Sequence, residues 1–296
     1  MPSCTPGGNT TLHFGFCLPA DGEINWGTAY RSTMTAIDEE LFNVGIPRSY
    51  LAGMQTTPTQ ASTSVSIAEG VAMGNDQATQ IRLTSPLVKV LSSSWAVGTG
   101  NGGLYAATTI QGNQSYHIFT ILRTDTSVVD AYYDTDPAAA NIPSPYTIYR
   151  RIASFKTDGN SNIRSWIQDG DKFQAATAVL DIGATIAALT ANTATLGSVP
   201  TGVNFQAIVN IGISGTPANR VVVYISDLAT QDMAASETAA PLGCVFQTGG
   251  IVGNQVGPVQ VRTNTSAQIR WRAAVNANGT FNLATLGWVD SRGRND

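Results

Sequence analysis

The sequence predicts a mainly β protein: a β-sandwich or jelly-roll-like domain, or domains, preceded by an extended N-terminal arm and one short α-helix. Short apolar runs with period-2 alternation recur along most of the chain. Turn residues punctuate them, with 29 Gly and 13 Pro among 296 residues. Charged residues make up only 12%, against roughly 25% in an average soluble domain. Thr, Ser, Asn and Gln stand in their place, and Thr, Val and Ile fit a pleated surface better than a helix.

Residues 1–24 are rich in Gly, Pro, Thr and Ser, with turn signals at Pro6-Gly7-Gly8 and Pro19-Ala20-Asp21-Gly22. They read as an arm with no strand of confident length. An arm with so few apolar side chains does not offset the ~1–2 kcal/mol per residue of backbone ordering by itself, so a partner is expected to hold it.

From position 26 to 42, Trp26, Tyr30, Met34, Ile37 and Leu41 recur at spacings of three and four, the mark of one helical face. Asn25 is the predicted N-cap and Gly45 the stop. The stripe fits docking on an adjacent β-domain, and it equally fits bundling with other copies. These five side chains are the predicted contact residues.

Beyond Pro47 the texture changes. Strands are predicted at 64–67, 80–84, 87–91, 117–123, 128–133 and 147–156, and again at 207–213, 220–226, 259–264, 268–274 and 280–286. In Gln268-Ile269-Arg270-Trp271-Arg272 the alternation places Ile269 and Trp271 on one side and two arginines on the other. Residues 158–198 are harder to read, and 175–195, rich in Ala, Thr and Leu, fit a strand, a short helix or a linker. The expected division is therefore 1–46 (arm and helix), 47–174 (β-rich), 175–204 (connecting segment) and 205–296 (β-rich), the last also readable as one continuous domain with 47–174.

The formal net charge of −4 offers no cationic surface for nucleic acid. No apolar run approaches the ~20 residues that span a bilayer, and positions 1–10 lack a secretion signal, so synthesis and folding in a cytoplasm are expected, without membrane insertion. Cys4, Cys17 and Cys244 lack metal-like spacing and read as free thiols.

Catalytic constellations are scarce. The two histidines, His13 and His117, read as an arm residue and an ordinary strand residue. The run Asp130-Ala131-Tyr132-Tyr133-Asp134-Thr135-Asp136 has the hard-oxygen ligands that Ca²⁺ takes, but solvated strand-end acids are the commoner reading. Asp169 and Asp171 are the nearest approach to a glycosidase acid pair. Residues 98–103 form a glycine-rich loop without the strand-to-helix context of a phosphate cradle. No catalytic, cofactor-binding or metal-binding residue is assigned, and no cofactor is expected.

The stretch Gly15-Phe16-Cys17-Leu18-Pro19-Ala20-Asp21-Gly22-Glu23-Ile24-Asn25-Trp26-Gly27, followed by Ala36-Ile37-Asp38, resembles the N-terminal region of phage tail-fibre-like proteins. There a P-x-x-G-x-x-x-W-G segment leads into a helix carrying I-D. Trp95-Ala96-Val97-Gly98, Tyr116-His117-Ile118-Phe119, Tyr149-Arg150-Arg151-Ile152-Ala153-Ser154-Phe155-Lys156 and the closing Gly287-Trp288-Val289-Asp290-Ser291-Arg292-Gly293-Arg294 look like a domain common in phage and prophage virion proteins. The resemblance implies a non-enzymatic structural subunit of a bacteriophage virion: a short tail- or head-fibre (appendage) protein in a symmetric, trimeric assembly. Residues 1–46 would anchor to other virion proteins of head or tail. It supplies no catalytic residues.

This chain departs from such fibres in lacking heptads or a fibrous repeat. A capsid decoration protein, a baseplate component, a glycan-binding adhesin and a polysaccharide-degrading spike therefore remain alternatives. For the adhesin, Tyr132, Tyr133 and Tyr146 are the candidate aromatics for stacking on host-surface sugar.

Overall fold

The computed structural model describes residues 9–10, 17–18, 28–45, 49–59, 62–105, 109–186, 190–214, 221–234, 244–247, 255–274 and 279–294. The chain divides into two compact units, Met1–Tyr50 and Leu51–Asp296. The predicted cap Asn25, together with Trp26, His13 and Cys4, lies outside the described residues.

In the first unit, β1 (Asn9–Thr10) pairs antiparallel with β2 (Cys17–Leu18), a short pairing that the arm's composition did not announce. Helix α1 (Thr28–Gly45) ends at the predicted Gly45, with Pro47 beyond it unable to continue an α-helix.

The second unit is built of strands. Its first half comprises β3 (Leu51–Gly53), β4 (Thr56–Pro58), β5 (Ser64–Ile67), β6 (Gly70–Met73), β7 (Gln80–Leu83), β8 (Leu87–Ser94), β9 (Gly102–Leu104), β10 (Ser115–Leu122), β11 (Val129–Asp134) and β12 (Ile148–Lys156). Seven of these form one sheet in the order β12-β10-β11-β9-β8-β5-β4, in which β9 runs parallel to both neighbours; β3-β6-β7 form a small second sheet. Every residue of β10 is buried, the polar Ser115, His117 and Thr120 included, so the strand is covered on both faces. Tyr116, Ile118 and Leu122 face the main core, while Phe119 and Ile121 join Tyr132, Ala139 and Tyr146 in a smaller one.

The second half comprises β13 (Trp166–Asp169), β14 (Lys172–Thr185), β15 (Asn192–Thr195), β16 (Gln206–Ser214), β17 (Val221–Ser226), β18 (Cys244–Gln247), β19 (Gln255–Arg262), β20 (Gln268–Ala273) and β21 (Thr280–Val289). A five-stranded sheet, β13-β14-β21-β16-β19, and a four-stranded sheet, β15-β20-β17-β18, share a sandwich-like core. Ile269 and Trp271 of β20 point inward, with Trp271 5.2 Å from Phe281, and Arg270 and Arg272 lie on the other side, as the alternation predicts.

The expected connecting segment 175–204 is corrected. Half of it is β-structure, because β14 runs to Thr185 between β13 and β21 and β15 follows. Pairing of β14 with β21 jumps from Gln174↔Gly287 to Val179↔Thr285. The extra residues form a bulge whose small side chains, Ala176 and Ala178, are exposed, so no period-2 signature survives there. Gly287 (φ +151°) permits the close approach, since a Cβ there would collide with the Phe173 carbonyl oxygen.

The two halves share one core. An aromatic chain crosses between them, with centroid separations of 5.9 Å for Tyr116–Phe155, 5.4 Å for Phe155–Trp166, 6.3 Å for Trp166–Phe173 and 5.8 Å for Phe173–Trp288. Gln168 of β13 caps β4: its Oε1 accepts from the Thr56 amide at 2.6 Å and from the Thr56 hydroxyl at 2.7 Å.

Candidate functional site

Three sets of residues bear on function: the α1 stripe, a buried polar network between the halves of the second unit, and the acidic run. On α1, Ile37 is 41% exposed and Leu41 47%, Tyr30 is exposed and Met34 half-buried. Asp38, four residues after Met34 and three before Leu41, is buried. A carboxylate that could lie in water is thus covered while two large aliphatic side chains are not, the reverse of an ordinary amphipathic surface helix.

The polar network begins on β10 and ends beyond β21. His117 Nδ1 lies 2.8 Å from Ser154 Oγ, and Arg151 Nη1 donates to the same hydroxyl at 2.9 Å and to Asp290 Oδ2 at 2.6 Å. The other oxygen of Asp290 accepts from the Arg292 amide at 2.8 Å. The Arg292 side chain in turn donates to Asp171 through Nε (3.1 Å) and Nη2 (2.9 Å), and Arg294 also pairs with Asp171. Because the Ser154 oxygen already accepts from Arg151, its proton is free to go to Nδ1, leaving the ring hydrogen on Nε2. Gly202 (φ +99°) packs against that edge, where a Cβ would come within 2.9 Å of Nε2.

Burial, reinforced by the Arg151 cation and only partly opposed by Asp290 and Asp136, pushes the His117 pKa down to about 4. The ring is neutral at pH 7. His117 and Ser154 are both fully buried, so this Ser–His pair has no substrate-facing surface; it joins adjacent strands β10 and β12, and Arg151–Asp290 carries the contact on to the second half. Asp171, consumed by two guanidinium groups, is not paired with Asp169 as a glycosidase couple.

The solvated-acid reading of the run 130–136 is corrected, because Asp130 and Asp134 are completely buried. Asp130 Oδ1 lies 3.1 Å from Lys89 Nζ and accepts from the Ala131 amide; Oδ2 accepts from the Gly98 amide at 2.8 Å. Lys89 also donates to the carbonyls of Ala96 (2.6 Å) and Gly98 (3.2 Å), and lies 5.6 Å from the Trp95 ring. Burial lowers its pKa, and Asp130 partly offsets that.

The glycine-rich loop is therefore clamped at its base by an internal ion pair. Asp134 accepts from the Asp136 amide and from the amide and side chain of Asn141. Asp130 and Asp134 stand four residues apart on one strand, about 13 Å, too far to share one ion. Among the described residues no group of three or more His, Cys, Asp or Glu could hold a metal.

The aromatic candidates for sugar stacking are also corrected. Tyr132 and Tyr133 are fully buried and Tyr146 nearly so; Tyr133 donates to the Lys89 carbonyl at 2.8 Å, and Tyr146 packs edge-on against Trp95. Strand β11 lies inside a sheet and is covered on both faces, which turn signals near it did not reveal. Among the described residues no helix is long and apolar enough to cross a membrane. Comparison with known proteins finds neither a matching family model nor a matching curated relative.

Proposed function

We propose that the chain is a non-enzymatic structural subunit of a bacteriophage virion, a short tail- or head-fibre protein that assembles with copies of itself and with other virion proteins. The observation that carries the contact role is the exposure of Ile37 and Leu41 beside a buried Asp38 on α1. Such a helix face gains free energy by being covered, at roughly 25 cal/mol per Å² of apolar surface. The structural role is supported by the spending of His117, Ser154, Lys89, Asp130 and Asp171 on internal contacts. The virion setting rests on the sequence resemblance.

The test pairs location with contact. Peptide mass spectrometry of purified particles from a bacterium carrying the gene is expected to find the full-length chain, and Ile37→Asp/Leu41→Asp is expected to abolish its incorporation. Absence of the wild-type chain from particles contradicts the virion role; normal incorporation of the variant contradicts the helix as the contact.

A further inference from the structure

The outer face of the five-stranded sheet is built unlike a surface meant for water. Ile167 of β13 and Leu180 of β14 are 65% and 61% exposed, the two most exposed large hydrophobic side chains of the chain's described residues. Both lie on the outer face: Ile167 because its neighbour Trp166 enters the core on the inner one, and Leu180 because it pairs with Ala284, whose neighbours Leu283 and Thr285 are the buried ones on β21.

Between them the β14 bulge leaves a hollow of about 570 Å³. Ala176, Ala178, Ile208, Pro258 and Leu286 line it, and the amides of Gln174 and Gln260 stand at its rim. The register places Ile167 directly across from Gln174, and Leu180 across from Ala284, two residues along β21 from Leu286. Ile167 and Leu180 therefore stand on the same face as the hollow, with Gln174 between Ile167 and its apolar lining.

The chemistry of this face selects its occupant. Among the described residues the one charge lining the hollow, Lys172, stands in register with Asp169, and Arg262 farther along β19 is paired with Asp227, so the face is close to neutral and offers nothing to phosphate or acidic peptide. Among the described residues no aromatic side chain lines the hollow, so it shows no platform for a sugar ring. A neutral face meets a copy of itself without like-charge repulsion, and a glutamine amide, both donor and acceptor, can pair with its own counterpart.

The size is adequate as well. Five strands about 4.8 Å apart, of 4 to 14 residues and averaging about 30 Å in length, present roughly 700 Å², close to the ~800 Å² per partner of a standard stable interface. We infer that the outer face of the five-stranded sheet is an interface between copies of this chain, with protruding Ile167 and Leu180 filling the hollow of a neighbouring copy. The inference rests on the reading that the chain assembles with itself, and it locates a contact distinct from the α1 stripe.

The test uses the full chain in sedimentation equilibrium, comparing wild type with Ile167→Asp/Leu180→Asp and with the hollow-filling Ala178→Trp. Each variant is expected to raise the dissociation constant at least tenfold, with an unchanged circular dichroism spectrum. Hydrogen exchange of wild-type residues 175–178, which needs no variant, is expected to slow as concentration rises through the association range. Unchanged association of folded variants, or exchange independent of concentration, overturns the inference. If Ile37→Asp/Leu41→Asp alone dissociates the assembly, self-association stands and only the sheet interface fails. A wild-type chain that is monomeric throughout overturns both.

Discussion

Acidification should loosen the second unit through one residue. In the folded chain His117 is neutral, with a pKa of about 4, whereas an unfolded chain offers an ordinary imidazole near 6.5. Below pH 6.5 the unfolded state therefore binds a proton that the folded state refuses. The stabilising contribution is complete above about 6.5, and it is lost progressively as pH falls through about 4.

The full difference amounts to about 3 kcal/mol, of which about 2 kcal/mol is gone by pH 5. That is a large share of the 5–15 kcal/mol typical of a domain. Urea denaturation at pH 7 and pH 5 measures it directly, with His117→Gln as the comparison. The variant keeps His13 and every carboxylate, so the difference between the two pH slopes belongs to His117. Wild type should lose about 2 kcal/mol more than the variant over this interval. Equal slopes would mean that folding does not hold His117 neutral.

The Lys89–Asp130 pair has no solvent to fall back on, so Lys89→Met alone or Asp130→Ala alone should cost about 3–5 kcal/mol in urea denaturation; Lys89→Met/Asp130→Leu should cost clearly less than the two single losses together. Trp166→Ala removes the central ring of the aromatic chain and the indole donor to Thr56 Oγ1, and should cost about 3–5 kcal/mol without splitting the thermal transition in two, because both halves share one core. A chain lacking residues 1–50 should remain folded and soluble, with the circular dichroism of a β protein, yet fail to enter particles. Aggregation of that truncated chain would place the helix in the core of the second unit.

How much of this was legible depends on how each residue is covered. Strand β20 could be read because only one of its faces is buried, so Ile269 and Trp271 alternate with arginines. Helix α1 announced its face through spacings of three and four and its end through Gly45, although nothing in that pattern indicated that Asp38 is buried and Leu41 is not. Strand β14 was hidden because its bulge breaks the alternation and its alanines fit strand, helix and linker alike.

The internal polar contacts were out of reach for a different reason. Lys89 with Asp130, and Arg151 with Asp290, are brought together by sheet pairing between distant segments, and a lone charge in a strand reads as solvent-facing. Tyr132 and Tyr133 misled because proximity to turn signals says nothing about whether the adjoining strand is covered on both faces.

Both proposed contacts, the α1 stripe and the sheet face, require the chain to assemble with its own copies. Sedimentation equilibrium of the purified full-length chain at micromolar concentration in ordinary salt measures this: a stable species of two or more chain masses is expected, and a single monomeric species across that range would rule it out.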